Sequence, residues 1–183
     1  FVGMNFEVKG LATIIKALAL AQKATPARKM RLLVVGRGDE RKYREMAVAH
    51  GIGDAVVFAG TRRQDIEKYY RASDCFAMLS AFDTFGMVVL EAMAASLPVI
   101  ISSGVGAKDL VEEGVNGFVV ADCLDAERAA GRFRFLLDEK RRSEMGSAAF
   151  LTASRHDWDA LAKRMGDLYM EALTLKGRVR PGA

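Results

Sequence analysis

The sequence has little of what several kinds of protein require. Two cysteines, Cys75 and Cys123, in 183 residues are too few for a disulfide scaffold; they read as buried thiols of a reducing compartment. The two histidines, His50 and His156, stand alone, so no metal-ligand spacing is present. No apolar run approaches the ~20 residues that span a membrane, and no signal peptide is visible. Internal repeats and low-complexity tracts are lacking. A stripe of Lys/Arg with interleaved aromatics is absent too, which excludes a nucleic-acid surface. Clusters such as "DERKYRE" and "DEKRRSE" mix both signs and read as solvated helix faces. No segment resembles a nucleophile elbow. "VVGRGDE" holds Gly36 and Gly38 but neither the third glycine of a dinucleotide fingerprint nor the Lys-Ser/Thr of a P-loop. It reads as a tight strand-to-helix turn with Asp39 as N-cap.

What is present is the balance of a globular protein, with 51% hydrophobic and 27% charged residues. The length suits one domain. A net charge of +4 favours anionic partners without identifying them. Short apolar runs alternate with amphipathic stretches. The runs are "FVG" at the start, then 31–36, 55–60, 74–79, 98–102 and 117–120. The pattern predicts an α/β fold: a Rossmann-like parallel sheet of about six strands with helices on both faces. Beyond Val120 it turns wholly helical, over about 124–138, 139–153 and 157–173. Residues 1–175 read as one domain, and 176–183 as a disordered tail. The chain opens without Met and already in a strand, as a piece of a longer protein would.

Ligands of open α/β sheets sit at the C-terminal ends of the strands. That singles out the loops 3–9, 36–39, 60–64, 80–86 and 102–106. In "GMNFEVKG", Gly3 closes a strand and Lys9-Gly10 opens a helix, whose free N–H groups and dipole suit phosphate. A surface lysine before a helix reads equally well. Thr61 and Arg62 follow a strand in "GTRRQD", as a base-reading loop or simply a basic one. Asp83 lies in the loop after the fourth strand. Glu91 lies in the first turns of the next helix, among Met87, Val88, Val89, Leu90, Ala92 and Met93. A Glu in a first helical turn is favoured by the helix dipole alone, but a carboxylate in so apolar a stretch normally has a hydrogen-bond partner, and a pair of sugar hydroxyls would serve.

"SAFDTFGMVVLEAMAASLPVIIS" resembles the E-x7-E signature of the group 1 retaining glycosyltransferases of the GT-B fold. "FVGMNFEVKGL", "LLVVGRGDE", "VVFAGTRRQDIEKYYRASD" and "LVEEGVNGFVV" resemble the neighbouring motifs in the same order. The resemblance covers the C-terminal, nucleotide-sugar-binding lobe and implies that an N-terminal acceptor lobe is absent from this chain. Within the family, "NFEVKGL", "RKYREMA" and "SAFDTFG" look most similar to the lipopolysaccharide core heptose glucosyltransferases.

The resemblance implies a hexosyltransferase using a UDP-sugar, without metal or other cofactor, and inactive as an isolated lobe. Asp83, in the place of the first Glu, would contact the donor sugar. Lys9 would hold the diphosphate, and these two are the expected catalytic groups. Glu91 would accept the ribose hydroxyls. Phe85, Gly86, Met87 and Val88 would meet sugar and phosphate oxygens through their backbone. Gly3, Thr61 and Arg62 complete the expected donor site. Expected partners are the nucleotide-sugar and, through the other lobe, a saccharide or lipid-linked acceptor. A cytoplasmic location is implied, with peripheral attachment of the full protein to the inner membrane face as a further option. Departures from the pattern are Asp83 for Glu, Met4 where many members carry a second phosphate-binding Arg, Ser96 for Gly, and "SSGVGAKD" in the sugar loop. Two other readings stay open: another GT-B enzyme, such as a nucleotide-sugar epimerase or glycogen synthase type, and a non-catalytic Rossmann-like module that binds anions or a protein partner.

Overall fold

The structure is a computed structural model, and it describes residues 1–62, 64–156 and 158–176. Among the described residues six strands alternate with helices as the periodicity requires. They are β1 (Val2–Met4), β2 (Leu32–Arg37), β3 (Val56–Gly60), β4 (Phe76–Met78), β5 (Val99–Ser102) and β6 (Gly117–Val120). The helices are α1 (Leu11–Ala24), α2 (Glu40–Ala49), α3 (Ile66–Arg71), α4 (Met87–Ala94), α5 (Ala126–Phe135), α6 (Glu139–Ala153) and α7 (Trp158–Leu175).

All strand pairings are parallel, as crossover helices dictate. They form two three-stranded ladders, β1-β2-β3 and β4-β5-β6, where the sequence suggests one sheet of about six. The ladders adjoin through β1 and β4. Phe1, Val2, Cys75 and Phe76 line one small cleft at the start of these strands. Beyond their far ends, the Ala81 N–H donates to the Val8 carbonyl at 3.0 Å.

Side-chain alternation shows that the two ladders share one core. Ala77, Leu79, Ile100, Phe118 and Val120 join α1, α2 and α5 in one apolar cluster with Leu32, Val34 and Val56. The intervening Phe76, Met78, Val99 and Ile101 join α4, α6 and Tyr70 of α3 in the other. Successive strand residues point to opposite faces, so helices cover both sides. All four residues of β5 are buried, as its unbroken apolar run requires, whereas the edge strand β3 is half-exposed.

The helical end is present as α5, α6 and α7. Every described side chain of α7 is exposed, Trp158, Leu161, Met165 and Leu168 included. The expected tail is described only at residue 176; residues 177–183 lie outside the described ones. Both cysteines are free and half-buried rather than fully buried. Burial pushes the Cys75 thiol up to about 11, which leaves it protonated and unreactive at neutral pH. Among the described residues no helix is long and apolar enough to cross a membrane.

Candidate functional site

The C-terminal ends of β1 and β4 meet at the point where strand order reverses, the crevice that open α/β sheets use for ligands. Two loops are pinned together there by buried hydroxyls. Ser102 Oγ donates to the Ser80 carbonyl at 2.5 Å, and Ser80 Oγ lies 2.9 Å from the Val8 carbonyl and 2.8 Å from that of Phe82. Further along, the Asp83 N–H donates to the Gly104 carbonyl at 2.9 Å and the Gly106 N–H to the Asp83 carbonyl at 3.0 Å. The loops after β1, β4 and β5 thus form one hydrogen-bonded rim.

That rim brings Lys9 and Asp83 together across 74 residues of sequence. Lys9 Nζ donates to Asp83 Oδ2 at 2.5 Å, with side-chain exposures of 21% and 18%. The approach depends on Gly10, whose φ is +74°. A Cβ added there would lie 1.9 Å from the Leu79 carbonyl oxygen, so no other residue lets the loop pass this close.

Helix starts divide into two kinds. Asp39, Asp125 and Asp138 cap α2, α5 and α6 by accepting from the N–H three residues on. At Asp138 this bond, from the Arg141 N–H, holds the carboxyl below the usual carboxylate range. By contrast α1 and α4, which open at the crevice, start from left-handed Gly10 and Gly86 with no capping side chain. In α1 the Leu11 N–H donates to the Phe6 carbonyl at 3.0 Å, and in α4 the Val89 N–H donates to the Gly86 carbonyl at 2.8 Å; the other first-turn N–H groups, without a cap, are left for water or an anion. Asp65 occupies the cap position of α3 and makes no capping bond.

Each expected residue has a definite place. Gly3 is mid-strand, paired with Gly36, because β1 runs one residue further to Met4. Phe85 is exposed at its side chain, while its carbonyl accepts from the Ala107 N–H at 2.7 Å. Gly86 is buried and its carbonyl accepts from the Val89 N–H at 2.8 Å, so it starts the helix as expected. Met87 is exposed and Val88 half-buried in the first turn of α4. Thr61 and Arg62 are exposed after β3. Arg62 Nε donates to the Tyr69 hydroxyl at 2.6 Å and lies over its ring at 5.7 Å. Met4 has Arg37 as its register partner, so a cation stands at the strand end beside the position where the family's arginine is missing.

Glu91 is exposed, not buried in its apolar stretch, and the partner it calls for is within the chain. The Tyr70 hydroxyl donates to Glu91 Oε2 at 2.8 Å. Burial, reinforced by the Glu91 charge and this hydrogen bond, raises the Tyr70 phenol far above its usual value of 10. The recorded contacts therefore join Arg62 and Glu91 through the neighbouring Tyr69 and Tyr70, while Lys9 and Asp83 form a separate pair. Neither tyrosine was singled out from sequence. The signal was the doublet in "EKYYRAS", with Tyr70 on the inward face of its helix.

A cavity of about 770 Å³ lies elsewhere, lined by Phe1, Arg31, Leu32, Cys75 and Arg142 among others, at the N-terminal ends of the strands. The one helix start among its lining residues, that of α6, is already capped by Asp138, whereas two starts without capping side chains open at the crevice, and we place the candidate site there on that ground. Among the described residues no cluster of three or more His, Cys, Asp or Glu stands ready to hold a metal.

The family model described as glycosyl transferases group 1 matches residues 1–152. The chain belongs to this family. A D-inositol 3-phosphate glycosyltransferase of Corynebacterium kroppenstedtii is 30% identical over 190 residues, covering 100% of this chain and 42% of the relative. Among solved structures, WaaG, a glycosyltransferase involved in lipopolysaccharide biosynthesis, superposes with a TM-score of 0.79 at 26% identity, over 91% of this chain and 45% of its own. Anabaena Alr3699/HepE in complex with UDP and glucose gives 0.80 at 25% identity, over 93% and 48%. The group 1 motifs thus sit on the GT-B C-terminal lobe, and the chain spans less than half the length of these relatives.

Proposed function

We propose that this chain is the donor-binding half of a hexosyltransferase that takes glucose from UDP-glucose and passes it, with retention, to an acceptor hydroxyl. The observation that carries the reading is the Lys9–Asp83 pair, set by the crevice loops beside two helix starts without capping side chains. In the reaction the anomeric carbon exchanges its bond to a diphosphate oxygen for one to the acceptor oxygen. The acceptor hydroxyl releases one proton and UDP leaves. Charge that develops on the leaving diphosphate is met by Lys9 and the first N–H groups of α4, both fixed before the donor arrives. A lysine has three donor hydrogens, so Lys9 can keep Asp83 while bonding a phosphate oxygen. Asp83 is then placed for the donor sugar, Glu91 for the ribose, and Thr61 with Arg62 for the base. No metal is assigned a role.

UDP and glucose as donor components are supported by their presence in the Anabaena structure. A part in lipopolysaccharide core synthesis is supported by the likeness to WaaG, and it implies work at the cytoplasmic side of a membrane. The acceptor would be chosen by a second lobe, so the chain alone binds donor and transfers nothing.

Calorimetric titration of UDP-glucose into the chain tests this. Glu91→Ala is expected to weaken binding by about tenfold to a hundredfold, the worth of hydrogen bonds to a charged group. Equal affinity of variant and wild type would remove Glu91 from the site. Sustained sugar transfer by the chain alone would overturn its assignment as half of an enzyme.

A further inference from the structure

The Tyr70 ring belongs to the core, at 4% exposure, packed 6.2 Å from the Phe76 ring and among Val89, Met93 and Leu97. Its position is therefore set by packing and not by Glu91. The hydroxyl of so buried a phenol needs a partner. The Val88 carbonyl lies 3.5 Å away, at the limit of a bond, while Glu91 Oε2 lies at 2.8 Å. Glu91 itself stands on the exposed side of α4, where a free glutamate samples many rotamers. A rigid donor thus holds a flexible acceptor.

We propose that Tyr70 is a positioning residue for nucleotide binding: its hydroxyl takes Glu91 Oε2 and fixes the rotamer in which Oε1 meets the ribose hydroxyls. This rests on Glu91 being the ribose acceptor. A carboxylate has about four acceptor positions, so one bond from a phenol leaves Oε1 whole for a diol. A neutral partner suits this task, because a cation at the same place would compete with the ribose for the charge. The raised phenol value keeps the hydroxyl a donor throughout the physiological range. Arg62, held by the adjacent Tyr69, extends the arrangement toward the base loop.

The test is calorimetric titration of UDP and of 2′,3′-dideoxy-UDP into the 183-residue chain, its Tyr70→Phe, Glu91→Ala and double variants. The readout is the ratio of the two affinities, which cancels any general loosening of the site. Wild type is expected to prefer UDP by about tenfold or more, and Glu91→Ala to bring the ratio near one. Tyr70→Phe keeps the ring and its packing; it should lower the ratio about threefold to tenfold while leaving affinity for the dideoxy analogue unchanged. In the double variant the ratio should match that of Glu91→Ala, since Tyr70 acts through Glu91. A Tyr70→Phe ratio equal to wild type, or a further fall in the double variant, overturns the positioning role alone. A wild-type ratio near one, or a ratio untouched by Glu91→Ala, overturns the reading of Glu91 on which the inference rests.

Discussion

Asp83 and Glu91 stand eight positions apart in one motif, yet the fold treats them differently. Asp83 lies in a loop, mostly buried, bonded to a cation brought from the far side of the crevice. Glu91 lies on an exposed helix face, bonded to a neutral hydroxyl from the neighbouring α3. A partly buried carboxylate needs a counter-charge to offset its lost hydration. An exposed one needs only something to hold it still. The first arrangement couples site and fold, because breaking the pair disturbs the rim. The second separates them: the core holds Tyr70 whatever Glu91 does. Changes near Asp83 should therefore cost stability, and a change at Glu91 that keeps an acceptor for the Tyr70 hydroxyl should cost binding only.

The largest expected effect breaks the Asp83 side outright. Gly10→Ala drives a Cβ into the Leu79 carbonyl at a left-handed position, and urea denaturation should show a loss of about 3 kcal/mol or more. Next comes Lys9→Met, which strands the Asp83 charge. It should lose about 1–3 kcal/mol, between exposed and fully buried pairs, and a double-mutant cycle with Asp83→Asn should return most of that loss as coupling.

Titration sharpens the Glu91 side. The folded state holds the Tyr70 proton above the usual phenol value of 10, while the unfolded chain releases it there. Stability is therefore full below pH 10 and falls as pH rises beyond it. At pH 11 wild type should have lost about 1.4 kcal/mol through this group, a loss absent in Tyr70→Phe denatured in parallel. Smaller still is Ser96→Gly, at the turn that ends α4. Ser96 has φ +61°, a conformation that favours glycine, and the variant should gain about 0.5–1 kcal/mol. Glu91→Gln should change stability by no more than about 0.5 kcal/mol. A loss matching that of Lys9→Met would erase the distinction between the two carboxylates.

The elements were legible because strand runs and amphipathic stretches alternate. "PVIIS" and "RLLVVG" announce buried strands, and the cap at Asp39 follows from "GRGDE". Family motifs located the candidate residues. Their pairing was not legible. Lys9 and Asp83 are 74 residues apart and Tyr70 and Glu91 are 21 apart, so both contacts exist only through tertiary packing. That the partner of Glu91 would lie within the chain was not legible either: its neighbours are apolar, but a helix rotates each residue by 100° and one face of α4 is open. The break into two ladders left no trace either, as apolar runs do not reveal which strands exchange hydrogen bonds.

The most direct test of the account is a crystal structure of the chain with UDP-glucose. The account predicts ribose oxygens within hydrogen-bond distance of Glu91 Oε1, with Tyr70 still on Oε2. It places the diphosphate between Lys9 Nζ and the first N–H groups of α4. A nucleotide seated instead at the opposite end of the sheet, against Arg31 and Arg142 in the cavity there, would contradict it.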